Sequence, residues 1–232
     1  VESLNLFSQD QVNDFSVIWH KPDYAVEINK FDKTVHLESG KALSYDKLLI
    51  ATGSRARIPV SAWSGMHNVY TMRDIQDCEK LAVKFKSAEN IAVIGGGWIG
   101  LEIAATARQQ GKSVEIFEYG SRLCARSVSP EVSDFLKEMH ENEGTVIHLN
   151  ATKLHLIEDS EQEIEVFDAD IKLKKFDCVV VGAGAEIAKE LASQADLVVK
   201  DGIAVNEFGQ TSDPHIYAAG DCAIHPTLGF CI

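Results

Sequence analysis

An α/β fold is what this sequence predicts, and three observations carry that reading. Residues 90–118, "NIAVIGGGWIGLEIAATARQQGKSVEIFE", run from an apolar strand through a glycine turn and a helix into a second strand. A further helix and strand follow at once, so that β-α-β-α-β spans 90–149. On either side lie short extended pieces separated by turn residues, the pattern of small antiparallel meanders.

In chain order, a polar opening leads to extended pieces at 16–18, 25–28 and 34–37, punctuated by Pro22-Asp23, Asp32-Lys33 and Ser39-Gly40. "KLLIA" (47–51) is apolar throughout, as a strand buried on both faces would be. "TGSRARIP" (52–59) breaks that pattern and reads as a crossing between domains. In the helix after the glycine turn, Ile99, Ile103 and Ala107 recur every four residues, and Gly111 is placed to end it. Ser129-Pro130-Glu131 then offers a hydroxyl cap, a proline tolerated in the first turn and an acid suited to the helix dipole. Val132, Phe135, Leu136 and Met139 continue at i, i+3, i+4, i+7, and Gly144 closes the second helix. "KLHLIE", "EIEVFD" and "FDCVVVGAG" form a second meander over 153–184, and the segment after Gly202 holds two more short strands.

Composition narrows the function. The 232 residues are 45% hydrophobic, enough for a substantial core, and 22 basic against 35 acidic residues give a formal charge of -13. That balance repels nucleic acid and anionic membrane surfaces. No apolar stretch approaches the roughly 20 residues of a membrane span, and the first residues lack a charged region followed by an apolar core. The five cysteines are scattered without a C-x-x-C pair, as reduced thiols are, so a soluble, cytoplasmic protein is expected. None of the eight histidines sits at metal-ligand spacing or beside a nucleophile signature, so no metal site is expected.

The glycine turn carries the chemistry. Gly95, Gly97 and Gly100 satisfy G-x-G-x-x-G: the first allows a tight turn, the second lets the backbone approach a pyrophosphate, and the third allows close helix-strand packing. The pyrophosphate would sit on the helix N-terminus, where free N-H groups and the dipole favour negative charge. Glu118 ends the next strand about 20 residues on, where a ribose-binding acid belongs. It would accept hydrogen bonds from both ribose hydroxyls and repel a 2'-phosphate, favouring NAD over NADP. Arg122 could reach such a phosphate, and its plainer reading is a solvated loop cation, which is preferred.

"ATG" (51–53), "VIGGGWIGLEIAATA" from Val93, R-x-x-x-R-x-V-S-P-E-V-S-D-F from Arg122, "VVVGAG" from Val179 and "IYAAGDCA" from Ile216 occur in one order. Together they resemble the FAD-dependent pyridine nucleotide oxidoreductases, most closely the NADH-dependent ferredoxin or rubredoxin reductase components of oxygenase systems. The resemblance covers nearly the whole chain. It implies a double Rossmann-like fold of the three-layer ββα type, and a chain that lacks the N-terminal FAD fingerprint and the C-terminal domain. The implied division is a partial FAD-binding domain at 1–73, an NAD-binding domain at 74–204 and a second partial FAD-binding segment at 205–232. A sheet so interrupted would leave an open edge, from which self-association or disorder is expected.

The resemblance also implies roles. On the FAD side, Asp221 would bond a ribityl hydroxyl (as a plain turn residue it would cap a helix), the backbone near Ala25 would meet the adenine end, Thr52 and Gly53 would approach by backbone, and Arg73 would contact the flavin. On the NAD side, Glu102 would lie toward the nicotinamide; a Glu in that apolar, small-residue helix turn would need a partner. Gly182 and Gly184 would line the nicotinamide site, although "AEIAKELA" stands where many relatives carry Pro-Asn. Trp98 and Ile99 fall in the fingerprint, and Trp98 equally suits domain packing. The implied reaction is hydride transfer from NADH to flavin, then single electrons to a ferredoxin or rubredoxin-type carrier. Two other readings stand beside it. A pyridine nucleotide-disulfide reductase or NADH oxidase-type flavoprotein shares the double fold but would carry its reactive cysteines upstream, and a non-catalytic NAD-binding fragment would bind without turnover.

Overall fold

Asn29 shows how the expected turns form. Its side-chain oxygen accepts from the amides of Phe31 (3.0 Å) and Asp32 (3.1 Å), and its amide group donates to the Asp32 carboxylate at 2.8 Å. Lys33 then takes a left-handed conformation (φ 51), and the chain reverses. A computed structural model describes residues 7–169 and 171–226, so Cys231 and the last residues lie outside it. It divides into two compact units, residues 1–53 with 187–232 and residues 54–186.

The first unit opens with α1 (Gln9–Asp14), which the sequence reading did not expect. Ser8 caps it and Gln11 returns the bond. Residues 16–18, expected to be extended, form no strand. Strands β1 (Ala25–Asn29), β2 (Thr34–Leu37) and β3 (Ala42–Ser44) make the expected antiparallel meander. β4 (Leu48–Ile50) is the strand of "KLLIA", but it is not buried on both faces: Ile50 is in the core and Leu49 is 60% exposed.

The second unit begins with β5 (Ser54–Ala56) and β6 (Val69–Thr71), followed by α2 (Ile75–Phe85), capped by Asp74, whose side chain accepts from the Asp77 amide at 2.9 Å. Then come β7 (Asn90–Ile94), α3 (Trp98–Gln109), β8 (Ser113–Phe117), α4 (Pro130–Asn142) and β9 (Val146–His148), the β-α-β-α-β read from the sequence. Gly111 (φ 78) and Gly144 (φ 83) end the two helices, as expected.

The meander strands are β10 (Leu154–Glu158), β11 (Ile164–Asp168) and β12 (Ile171–Phe176). "IKLKKF" is thus the third meander strand, and β13 (Cys178–Val181) leaves the meander for the central sheet. Asp177 makes that corner by accepting from the amides of Glu89 and Asn90, both at 2.8 Å. β14 (Ala185–Ile187) pairs with β5. Back in the first unit follow α5 (Glu190–Gln194), β15 (Ile203–Ala204), β16 (Ile216–Ala218) and β17 (Ala223–Ile224); β16 runs parallel to β4.

The second unit is three-layered. Its five-stranded parallel sheet has the order β6-β13-β7-β8-β9. Along β7 the side chains alternate: Ile91 and Val93 pack with Leu81, Leu101, Ile103 and Leu136 of the helices, while Ala92 and Ile94 pack with Leu156, Val166 and Phe176 of the meander. Burial on both faces explains why "NIAVI" and "CVVV" read as continuous apolar runs.

Two expectations about the helices are corrected. On α4 the buried residues are Ser133, Leu136 and His140, whereas Val132, Phe135 (63% exposed) and Met139 face solvent. Ser129 makes no capping bond to the helix backbone. The domain boundaries differ from those expected at 73/74 and 204/205. Residues 69–71 belong to the second unit because β6 pairs with β13, and Leu197 and Ile203 pack into the first unit's core with Ile28, Ile50 and Ile216.

Candidate dinucleotide-binding site

In the second unit the glycine turn sits at the C-terminal end of β7, where open α/β sheets bind ligands. Gly95 has φ 108, and a Cβ there would come within 2.5 Å of the Gly182 carbonyl oxygen, so the turn and the end of β13 touch backbone to backbone. A Cβ on Gly100 would overlap the Gly95 carbonyl oxygen and lie 3.2 Å from Val93 Cγ1, the close helix-strand approach assigned to the third glycine. Gly97 differs: it is the N-cap of α3, and nothing lies within 4 Å of where its Cβ would be. No side chain caps α3, so its first-turn amides face that open space without an intrahelical acceptor. This uncapped terminus beside an empty glycine fits a pyrophosphate.

Glu118 stands just past the end of β8. One carboxylate oxygen accepts from the Gly96 amide at 2.5 Å and the other from the Gly120 amide at 2.6 Å. Each oxygen keeps a lone pair for a ribose hydroxyl, so the acid both shapes the turn and remains able to bind. Gly96, the variable residue of the fingerprint, must also be small, because a Cβ would meet Leu123 Cδ2 at 2.5 Å and the Glu118 side chain.

Arg122 is not a solvated cation. Its guanidinium donates to the carbonyls of Val128 (2.8 Å) and Ala125 (2.7 Å) and to Ser133 Oγ (2.8 Å). Beside it the buried Cys124 donates its amide to the Gly96 carbonyl at 2.9 Å, with Sγ 3.6 Å from the same oxygen. Burial, reinforced by the Glu118 carboxylate, pushes the Cys124 thiol up in pKa.

Gly182 and Gly184 follow β13. The Gly182 amide donates to the Ile94 carbonyl at 2.7 Å, and the Gly184 carbonyl accepts from the Arg57 amide at 3.0 Å. Gly184 has φ 94, and Arg126 Nη2 lies 3.7 Å from its missing Cβ. Arg126 therefore joins Gly182, Gly184 and the fingerprint at one end of the sheet. The sequence reading gave it no role, although its place four residues after Arg122 in the quoted motif was the available signal.

Trp98 and Ile99, the first residues of α3, are both exposed, so Ile99 does not extend the buried face of Ile103 and Ala107. Glu102 is exposed as well, which removes the argument that its carboxylate needs a partner. Arg73 donates from Nε to the Ser54 carbonyl at 3.0 Å and fastens the start of the second unit.

In the first unit, Thr52 Oγ1 donates to the Ala188 carbonyl at 2.6 Å, and the Gly53 carbonyl (φ 65 at that residue) accepts from the Ala188 amide at 3.1 Å. Ala25 opens β1 and pairs with Leu37. Asp221 lies within a 3-10 turn, Gly220–Cys222, whose N-cap is Ala219, so it is not itself the cap. Among the described residues of this unit no strand runs through a glycine turn into an α-helix. No group of His, Cys, Asp or Glu suited to a metal ion occurs among the described residues.

A parallel sheet sandwiched between helices and a meander, with an uncapped glycine-rich helix terminus at its C-terminal edge, defines a dinucleotide-binding protein of the double Rossmann-like α/β class. The chain belongs to the pyridine nucleotide-disulphide oxidoreductase family, which it matches over residues 6–230. It is 37% identical over 201 residues to putidaredoxin reductase of Pseudomonas putida, covering 84% of this chain and 48% of the relative. It is 32% identical over 220 residues to the ferredoxin--NAD(+) reductase component of the 3-phenylpropionate/cinnamic acid dioxygenase of Photorhabdus laumondii, covering 94% and 55%. The crystal structure of a ferredoxin reductase from Rhodopseudomonas palustris superposes with a TM-score of 0.90 at 31% identity, over 99% of this chain and 57% of that one. The covalent putidaredoxin reductase-putidaredoxin complex contains a chain with a TM-score of 0.88 and 33% identity, over 97% and 55%. The chain thus spans about half the length of the relatives it matches.

Proposed function

We propose that the chain is the NADH-docking part, with a portion of the flavin-holding part, of an FAD-dependent NADH:ferredoxin or NADH:rubredoxin reductase. The observation that carries this reading is the uncapped N-terminus of α3 with open space over Gly97, faced by Glu118 at the end of the next strand. The relatives' names supply the reaction class, and their electron carriers make a ferredoxin or rubredoxin-type protein the proposed partner. FAD and NAD are the proposed cofactors; when bound they supply hydride and single-electron transfer.

The chain's own residues bind and orient. The α3 amides and Gly97 take the pyrophosphate, Glu118 takes the adenosine ribose hydroxyls and disfavours a 2'-phosphate, and Gly182, Gly184 and Arg126 border the far end of the dinucleotide. Trp98, Ile99 and Glu102, on the first turns of α3, border the same space. Ala25, Thr52, Gly53 and Asp221 are the proposed flavin-side residues of the first unit, together with Arg73. Residues 54–186 are proposed as the NAD-type domain and the rest as FAD-type segments. A cytoplasmic location belongs to the same reading; among the described residues no helix is long and apolar enough to cross a membrane.

The disulfide-reductase reading puts its reactive cysteines upstream, and the four described cysteines are free thiols, three of them buried. Burial pushes the Cys178 thiol up to about 12, far from a reactive thiolate. The test is a flavin absorbance spectrum of the purified chain followed by anaerobic NADH titration. Flavin that bleaches with NADH supports the reductase reading for this chain. A colourless protein that binds NADH and reduces nothing makes it the docking half only, and one that binds no NADH overturns the proposal.

A further inference from the structure

Resting on the dinucleotide reading above, we propose that Arg122 is a positioning residue for the pyrophosphate turn, acting through residues 123–133 rather than by touching the ligand. Its guanidinium closes the loop at three points, the carbonyls of Ala125 and Val128 and the hydroxyl of Ser133. Ser133, 1% exposed, passes the connection on: its hydroxyl donates to the Leu123 carbonyl at 2.5 Å. Leu123 and Cys124, both buried, then press on the glycine turn. Leu123 Cδ2 occupies the place of a Gly96 Cβ, and Cys124, held left-handed at φ 48, donates its amide to the Gly96 carbonyl. From the other side the Glu118 carboxylate holds the Gly96 amide.

Gly96 is therefore gripped at both its N-H and its C=O, and a glycine has no side chain to fix its own dihedrals. The peptide planes of Gly96 and Gly97 set where the α3 amides aim, so the grip on Gly96 sets the phosphate geometry. All three guanidinium bonds are internal to the loop and its helix, which leaves Arg122 neither a ligand contact nor a solvated cation. Its five fixed donors are what a lysine at that place could not supply.

The test uses the whole chain and titrates ADP-ribose and NADH by calorimetry, with Arg122→Ala, Arg122→Lys and Ser133→Ala beside Val166→Ala. Val166 is fully buried in the meander layer, so its truncation is a stability control away from the loop. Arg122→Ala should raise the dissociation constants about tenfold to a hundredfold, as misplacement on the ångström scale does. Arg122→Lys should recover little, and Ser133→Ala should show a smaller loss of the same kind. Val166→Ala should lower the melting temperature without changing affinity. In amide NMR spectra the Gly96 signal, shifted downfield by its carboxylate bond, should move in both loop variants and stay put in Val166→Ala. If Ser133→Ala and whichever arginine variant folds bind as wild type does, with Gly96 unshifted, the positioning role is wrong. If wild type binds neither ligand, the dinucleotide reading itself falls.

Discussion

Gly97→Ala separates binding from folding at this site. The added methyl enters open space, since no heavy atom lies within 4 Å of it, and residue 97 does not sit at positive φ. The folded state should therefore lose only the preference of an N-cap for glycine over alanine, no more than about 1 kcal/mol. For a chain of this size that corresponds to roughly 2–4 °C in Tm. The same methyl stands where a pyrophosphate oxygen must approach the α3 amides. Pushing the phosphate out by part of an ångström should weaken NADH binding about tenfold to a hundredfold, or ~1.4–2.8 kcal/mol. Calorimetric titration with NADH and a thermal melt on the same sample measure both quantities. Affinity within twofold of wild type would refute the placement of the pyrophosphate over Gly97, and a drop in Tm of 10 °C would refute the claim that the space is empty.

Other outcomes follow from the same geometry. Gly100→Ala should do the reverse: its methyl overlaps the Gly95 carbonyl oxygen, so a stability loss of about 1–3 kcal/mol or more is expected in urea melts, with or without ligand. Glu118→Gln keeps the shape but turns a donor toward the Gly96 or Gly120 amide, so NADH affinity and its preference over NADPH should both fall in parallel titrations. Asp177→Asn should cost about 1–3 kcal/mol at pH 7 through its two amide bonds. Burial opposes ionisation of Asp177, but the amides of Asn90 and Glu89 outweigh it and hold the carboxyl below the ordinary aspartate value. Its contribution is therefore present above the unfolded value near pH 4 and lost as pH falls through the lower folded value, so wild type and variant should converge only in that acid range.

The sequence made the β-α-β-α-β core legible because its central strand β7 is buried almost throughout and each of its helices ends at a left-handed glycine. It misled where tertiary contacts override periodicity. Val132, Phe135 and Met139 keep helical spacing yet stay outside, because Ser133 turns inward to bind the Leu123 carbonyl and the Arg122 guanidinium. "IKLKKF" hides a strand because its lysines reach partners: Lys172 pairs with Glu165, and Lys174 pairs with Glu115. The compact units begin and end at other residues than the expected domains because no local signal tells that β6 pairs with β13, more than a hundred residues away. At the site, the fingerprint glycines and Glu118 were readable from spacing alone, while the binding partners of Arg122, the exposure of Glu102 and the place of Arg126 depend on how a loop folds back.

The second unit is one uninterrupted stretch of chain set between two stretches of the first, and its ends are tied together. β5 pairs with β14, and the Arg57 amide meets the Gly184 carbonyl. On the ribosome, residues 54–186 emerge complete and can close on themselves while β4 still waits for β16, its partner across the insertion. Assembly is thus nested: the inner unit is finished before the outer one can be, and a slow or faulty closure inside would leave the earliest-made strands exposed longest.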